Sequence, residues 1–380
     1  MLKRLLPLSL ATFAVGTDGF VIAGLLPAIS ADLHVSVPAA GQLVTAFALT
    51  FAVAAPVLGW ATSSFDRRSA LLLALTVFVI GNVATAVSAD YTAVLLARVL
   101  TAIGAGIITS TASSTAAAIS PPERRGRSLA FVLGGLSLST ALGLPLGTLI
   151  GRDDWHLTLW AVAALGSVAA IGVALGLPRI TLPTTTLRAR LAPLRQSRVS
   201  VVLLVTSLSM AAPYVLYTYI GEATATATGG KPGTLTVVLL IWGIGALTGN
   251  LLAGRLVDRF PPSTVVAIAL AGLTALLAIS PLVIGNLTAT TTWALFWGIA
   301  VGMPTVAQQQ RLITFAPASS PVLLGLNSSA IYLGIAAGGA LGGLAQHWLP
   351  ASTLGLPAAA LTLIALPLTL TTRKMPVPTT

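Results

Sequence analysis

The sequence has no cysteine and very little charge. Of its 380 residues, 8% are charged and 56% are apolar, whereas an ordinary soluble domain carries about 25% charged residues. Too few charges are present to cover a water-facing surface, and the lack of cysteine excludes disulfides and thiolate sites. The sequence has only three histidines, all far apart, and no Gly-x-x-x-x-Gly-Lys-Ser/Thr phosphate loop. We therefore expect no metal site, no cofactor and no use of ATP.

Apolar runs recur along the whole chain, each of about twenty residues. In a bilayer, backbone polar groups must be satisfied within the segment itself, and such runs achieve this as α-helices. We predict an all-α membrane protein whose first span is not a cleaved signal peptide. Twelve spans are expected, at 6–28, 39–61, 69–89, 92–119, 128–150, 156–177, 199–220, 234–254, 264–286, 289–311, 321–344 and 353–371.

Basic residues are unevenly distributed over the connections between these spans. With a cytoplasmic start, one side collects seventeen Lys and Arg residues and the other two, while Arg98 lies inside a span. Since cytoplasmic connections are enriched in basic residues, both termini are expected in the cytoplasm and the protein in the cell membrane. The net charge of +11 then reflects topology, and no nucleic-acid partner is expected.

The longest polar segment between spans divides the chain. It contains Pro183 and five arginines, and it predicts an N-terminal six-helix half at 1–178, a basic cytoplasmic linker at 179–198 and a C-terminal six-helix half at 199–380. The arginines of the linker could contact anionic lipid headgroups, so membrane lipids are expected partners. A solvated connector explains the same composition at least as well.

An internal repeat supports the two halves. Gly59 and Gly254 open similar turns 195 residues apart, and the span-five glycines Gly143 and Gly147 recur at the same offset in span eleven. Duplicated halves with a substrate site near the membrane midplane are a known plan of secondary transporters.

These turns resemble those of the major facilitator superfamily, specifically its twelve-span drug/proton antiporters and the related sugar and nucleoside efflux permeases. The second turn keeps the glycine, the acid and the base of the family pattern, whereas the first has Ser63 at the acidic position. The resemblance implies that the turns form a conformational gate, although a tight solvated turn is an equal alternative. The gate residues would be Gly59, Asp66, Arg67, Arg68, Gly254, Asp258 and Arg259.

Span five also resembles this family. Its sequence from 134 to 151 reads GGLSLSTALGLPLGTLIG and is similar to the antiporter signature. Gly143 and Gly147, four residues apart, allow close helix packing, and Pro145 is expected to bend the helix.

Spans one and four each carry a charged residue. Asp18 lies in GTDGFVIAGLLPAI, which resembles the family's first-span motif, and Arg98 lies in LLARVLTAIGAG of span four. An ionisable group within a span is a functional candidate by default. Because burial opposes the charge of Asp18 and a nearby Arg98 would favour it, the carboxylate could load and release protons. The alternative is an ion pair that only holds helices together.

In this superfamily, spans one, four, seven and ten line the cavity. The resemblance therefore implies that proton coupling or substrate binding involves Asp18, Arg98, Tyr214, Tyr217, Trp297 and Gln308. Aromatic rings and amides suit uncharged or cationic amphiphiles. Placement of the aromatic residues in an interfacial belt is the competing explanation.

We expect a transporter that exports a small drug-like molecule or metabolite by alternating access in exchange for protons, and that works as a monomer. A sugar or nucleoside permease, for efflux or uptake, is the alternative. An intramembrane enzyme would need clustered acids or histidines, and the only adjacent acids, Asp153 and Asp154, lie in a predicted outer loop. A sensor built on this fold would need an additional domain or tail.

Overall fold

The structure is a computed structural model that describes residues 2–181, 186–315 and 320–371. Contacts divide the chain into two compact units, Met1–Leu187 and Arg188–Thr380. Residues 182–185 of the predicted linker, among them Pro183, lie outside the described residues, as does the segment 372–380 with two of the bases counted for topology. The predicted boundaries at 178 and 199 stay predictions.

The first unit contains six long helices, which match the first six predicted spans. They are α1 (Leu2–Asp32), α2 (Val37–Ala61), α3 (Arg67–Val87), α4 (Tyr91–Ala118), α5 (Arg125–Ile150) and α6 (Trp155–Gly176).

The second unit also has six long helices in its described part. They are α7 (Ser197–Tyr217), α8 (Pro232–Val257), α9 (Pro262–Val283), α10 (Leu287–Phe315), α11 (Ser320–Ala345) and α12 (Gly355–Thr371). A short helix, Leu187–Leu191, and a 3₁₀ turn, Ala192–Arg195, precede α7.

Eleven of these twelve helices are long and apolar enough to cross a membrane by composition alone. The exception is α10, whose 29 residues include three consecutive threonines, 290–292, and three consecutive glutamines, 308–310. Outward-facing side chains elsewhere are apolar: Leu175 and Leu282 are each 85% exposed. Such surfaces require lipid as the solvent.

The two units repeat one pattern of helix packing. In the first, α1 packs on α5 and α6, α2 on α4, and α3 on α4 and α6. In the second, α7 packs on α11 and α12, α8 on α10, and α9 on α10 and α12. Each pairing therefore recurs six helices later, as expected from the repeat in the sequence.

Glycines allow the closest of these approaches. A methyl group at Gly143 or Gly147 would overlap Thr17 or Val21 of α1. At Gly338 of α11, the equivalent of Gly143, it would overlap the Ala211 carbonyl and the Tyr214 side chain of α7. The repeated glycines thus make room for α1 side chains against α5 in the first unit and for the α7 backbone against α11 in the second.

Helix α5 is not a continuous α-helix. Residues Ser139–Gly143 form a π-helical turn, in which Leu144 N–H donates to the Ser139 carbonyl five residues earlier. Pro145 follows and has no N–H to donate. The sequence predicted a bend at the proline, whereas the structure accommodates it with a wider turn, as occurs at irregular points of helices.

Helix α3 begins with a side-chain cap. Asp66 Oδ1 accepts a hydrogen bond from Ser69 N–H at 3.0 Å, which satisfies one of the unpaired donors of the first turn. This hydrogen bond, with a smaller contribution from the Arg179 guanidinium, holds the pKa of the Asp66 carboxyl below its ordinary value of 3.8. The cap therefore stabilises the fold in the ionised state.

Replacing Gly338 by alanine should lower the free energy of unfolding by about 1–3 kcal/mol, because the methyl group would meet backbone that cannot move aside. The thermal midpoint of the purified protein in detergent measures the loss. Gly325→Ala on the same helix is the control, since a methyl group there contacts nothing within 4 Å. Equal losses in the two variants would contradict the packing role of Gly338.

Replacing Asp66 by alanine should cost about 0.5–2 kcal/mol of stability at neutral pH, whereas asparagine, which also caps helices, should cost less. Because the folded-state pKa of Asp66 is depressed, the contribution of its charge is present above the unfolded-state pKa and is lost as the pH falls below about 4. Thermal unfolding of the wild type and the alanine variant at several pH values tests this. A difference that grows on acidification would be the wrong sign.

Candidate functional site

Asp18 and Arg98 form an ion pair inside the first unit. Arg98 Nη1 donates to Asp18 Oδ1 at 2.6 Å, and Arg98 Nη2 donates to the Asp18 backbone carbonyl at 3.3 Å. Both side chains are 0% exposed. The pair joins α1 to α4 across eighty residues of sequence, so the two predicted charged residues are brought together.

An aromatic ring supports the arginine from a third helix. The guanidinium carbon of Arg98 lies 4.4 Å from the ring centroid of Phe47 on α2, and Phe47 stacks on Phe51 at 6.4 Å. A desolvated guanidinium over a ring face is stabilised by about 2 kcal/mol. Phe47 could not be singled out from the sequence, because it lies in a long, mostly apolar run.

The ion pair leaves two buried polar atoms without hydrogen-bond partners. Among the described residues, none donates to Asp18 Oδ2 and none accepts from Arg98 Nε. A buried carboxylate normally has its oxygens satisfied, because an unsatisfied group costs about 1–3 kcal/mol. Asp18 Oδ2 is therefore an open position for a proton or for a hydrogen-bond donor.

The residues of the span-five signature pack beside Asp18. Gly143 contacts Thr17, the residue before Asp18, and Gly147 contacts Val21. Ser139, at the start of the π-helical turn, faces Gly16, and Pro145 is buried just after this turn. The signature thus holds the segment of α1 that carries the carboxylate.

The second unit contains a buried aromatic cluster, made by Tyr214, Tyr217, Trp242, Trp293 and Trp297. Tyr217 lies at the centre of its contacts, with ring centroids 5.0 Å from Tyr214, 4.4 Å from Trp242 and 6.3 Å from Trp297. Trp297 stacks on Trp293 at 4.7 Å. Three predicted residues meet here, while Trp242 was missed because α8 is not among the helices that the family resemblance assigns to the cavity.

Gln308 lies elsewhere in the second unit, about 16 Å further along α10 than Trp297 at 1.5 Å per residue. Its Nε2 donates to the Val202 carbonyl at 3.0 Å and to Thr206 Oγ1 at 3.2 Å, and its Oε1 accepts from Arg311 Nη1 at 2.7 Å. Thr206 in turn donates to Asn327 Oδ1 at 3.1 Å. This network ties α10 to α7 and α11, a structural role that the sequence did not indicate.

The residues of the first predicted gate turn are engaged within their own unit. Gly59 and Arg67 are buried, and Arg67 Nη2 donates to the Ser63 carbonyl at 3.4 Å. Asp66 caps α3 and is half-buried, as is Arg68.

The second turn is more open. Gly254 is half-buried, whereas Asp258 and Arg259 are exposed, and Asp258 ends α8. The action of either turn as a gate stays a prediction.

The first residues of α6 contact the end of α1 and one acid of the predicted outer loop. Trp155 Nε1 donates to Asp32 Oδ2 at 3.0 Å, and His156 Nδ1 lies 2.7 Å from Asp154 Oδ1. Asp153 Oδ2 lies 3.3 Å from Nη2 of its neighbour Arg152. Within the described ranges, no group of three or more acids, histidines or cysteines is arranged to hold a metal ion.

The family model of the Major Facilitator Superfamily matches residues 8–339. The chain is 33% identical over 341 residues to the inner membrane transport protein YdhP of Escherichia coli (strain K12), covering 89% of this chain and 87% of that protein. It is 35% identical over 268 residues to a chloramphenicol resistance protein of Streptomyces lividans, covering 69% of this chain and 68% of that protein.

Solved structures with low sequence identity share the fold. The nucleoside transporter NupG matches with a TM-score of 0.76 at 13% identity, covering 98% of this chain and 100% of that one. The D-xylose-proton symporter matches with a TM-score of 0.79 at 19% identity, covering 99% and 98%. The prediction of an all-α, twelve-helix fold is confirmed. With the family model matching most of its length, the chain belongs to the Major Facilitator Superfamily and is a multi-pass membrane transport protein.

Proposed function

We propose that the chain is a secondary active transporter of the cell membrane that exports a small drug-like molecule or metabolite in exchange for protons. The observation that carries this proposal is the wholly buried carboxylate of Asp18, which has Arg98 on one oxygen and no partner among the described residues on the other. A group that binds a proton in one state and releases it in another is what coupled transport requires.

The surroundings of Arg98 support two protonation states of Asp18. When the carboxyl is protonated, Arg98 loses most of the attraction of the ion pair, and an unsupported buried cation would be costly. Two contacts do not depend on the charge of Asp18, namely the Phe47 ring at 4.4 Å and the Asp18 backbone carbonyl at 3.3 Å. The arginine can therefore stay in place while the proton comes and goes.

The relatives support export but leave the substrate open. The Streptomyces lividans relative is named a chloramphenicol resistance protein, which favours efflux of a drug-like molecule. The solved neighbours are a nucleoside transporter and a sugar-proton symporter, and these keep a sugar or nucleoside permease as the second candidate. A substrate panel with all three chemistries separates the two.

The distribution of basic residues supports the orientation that we propose. Seventeen of the twenty Lys and Arg residues fall on one side of the predicted topology, so both termini and the linker would face the cytoplasm. On that side lie the two turns that would act as the gate.

We also propose that the linker occupies 179–198 and that membrane lipids contact it. The protein is proposed to work as a monomer.

Replacing Asp18 by asparagine should abolish substrate-driven proton flux, because the amide keeps the size of the side chain but cannot take up or release the proton. The measurement uses purified protein in liposomes that carry an interior pH dye. Chloramphenicol, xylose and uridine are added separately under an imposed proton gradient. Asp153→Asn is the matched control, since this acid is 82% exposed and should leave the flux unchanged.

Two results would contradict this account of coupling. Flux that survives in Asp18→Asn would remove Asp18 from the coupling step, and substrate movement without any proton flux would discard exchange for protons. Thermal midpoints of the two variants, measured in parallel, separate loss of coupling from loss of folding.

Replacing Arg98 by methionine should lower the free energy of unfolding by about 3–5 kcal/mol at neutral pH, because it leaves a buried carboxylate without its cation. Adding Asp18→Asn to that variant should recover much of the loss. Thermal unfolding of the two single variants and the double variant measures the coupling between the residues. A double variant no more stable than Arg98→Met would mean that Arg98 stabilises the helices by packing alone.

A further inference from the structure

We infer that the aromatic cluster of the second unit is a binding subsite for an uncharged, planar aromatic solute that carries hydrogen-bond acceptors. This inference rests on the proposed transport function and names the substrate class. Three buried side chains of the cluster carry polar atoms that have no hydrogen-bond partner among the described residues.

The unpartnered atoms belong to three rings in mutual contact. Tyr217 Oη, Trp242 Nε1 and Trp297 Nε1 have no hydrogen-bond partner in the part of the chain that the structure describes. Their ring centroids are 4.4 to 6.3 Å apart, and the side chains are at most 2% exposed. Each buried, unpaired donor destabilises the protein, because neither water nor protein satisfies it.

Packing alone does not account for these residue types. Phenylalanine would fill much of the same space without an unpaired donor. The neighbouring indole of Trp293 shows that the fold can also provide an acceptor for such a donor. Trp293 Nε1 donates to the Leu276 carbonyl of α9 at 2.8 Å. Trp293 and Trp297 stack on each other, but of the two only Trp293 has a partner for its N–H among the described residues. The three unpartnered donors of the cluster are therefore available to a ligand.

The chain is irregular at this cluster. Helix α7 contains Pro213 and ends at Tyr217, and the next residue, Thr218, also has a buried hydroxyl without a partner among the described residues. Interrupted helices at the level of a binding site are common in secondary transporters, because the freed polar groups face the ligand. The break places further unsatisfied polarity beside the rings.

The chemistry of the donors defines the ligand. An indole N–H can only donate, so a ligand that satisfies Trp242 and Trp297 must bring acceptors, such as carbonyl, nitro or hydroxyl oxygens. Ring faces favour a planar aromatic partner for stacking. The second unit has only two acids, Glu222 and Asp258, and neither belongs to its six long helices, so nothing in the cluster neutralises a cation.

The test is equilibrium binding to the full-length purified protein in detergent, measured by titration calorimetry without a proton gradient. Chloramphenicol and uridine serve as neutral aromatic probes with acceptors, tetraphenylphosphonium as an aromatic cation, and xylose as a neutral probe without an aromatic ring. We expect one or both neutral aromatic probes to bind more tightly than the other two. Preference for the cation or for xylose, or no binding of either neutral aromatic probe, would overturn the inference.

The variants Trp242→Phe and Trp297→Phe keep a ring and remove one donor each. Each should weaken binding of the neutral aromatic probe about tenfold, the effect of one buried hydrogen bond. Trp160→Phe is the control, because Trp160 on α6 is 45% exposed and should bind as the wild type does. Thermal midpoints check that the variants are folded.

Failure of the subsite and failure of the proposed transport function give different results. If both cluster variants bind as tightly as the wild type while liposome flux still depends on Asp18, the subsite is wrong and proton-coupled export stands. If binding depends on Trp242 and Trp297 but no probe drives proton flux, the subsite stands and the coupling proposal is wrong.

Discussion

Asp18 and Arg98 form an ion pair in which both side chains are wholly buried. At 2.6 Å and 0% exposure, neither partner would be stable in its charged form without the other. Much of the first unit surrounds this pair: α4 supplies the cation, the Phe47 ring of α2 packs against it, and Gly143 of α5 makes room for the side chain of Thr17, the residue before Asp18. Asp18 Oδ2 has no partner among the described residues. This oxygen is therefore the position at which a proton or a hydrogen-bond donor can bind.

The two units use the same helix pairings for different chemistry. The first unit places a charge pair between α1 and α4, whereas the long helices of the second contain no acid and place an aromatic cluster on α7, α8 and α10. The packing glycines Gly143 and Gly338 occupy equivalent positions in the two units, whereas the polar side chains of the units differ. We propose that this division gives proton handling to the first unit and recognition of a neutral substrate to the second.

Hydropathy and spacing predicted all twelve helices, because lipid leaves a long apolar run no alternative to helix. The same reasoning singled out Asp18 and Arg98, since a charge within a span is rare, but residues eighty positions apart can be paired only when the rotation of each helix is known. Phe47 and Trp242 were not predicted because one phenylalanine or tryptophan in an apolar run carries no distinguishing pattern. Gln308 was singled out for its polarity, and the structure places it in a network with Thr206 and Arg311.

For Asp18 to couple transport to protons, as we propose, its carboxyl group must change protonation when substrate binds. Infrared difference spectroscopy of the purified protein, recorded with and without a bound substrate, observes this directly through the carbonyl band of a protonated carboxyl group. Substrate binding is expected to remove such a band from the wild type, and the change should be missing in Asp18→Asn. A wild-type spectrum with no carboxyl change on binding, or an identical change in Asp18→Asn, would contradict it.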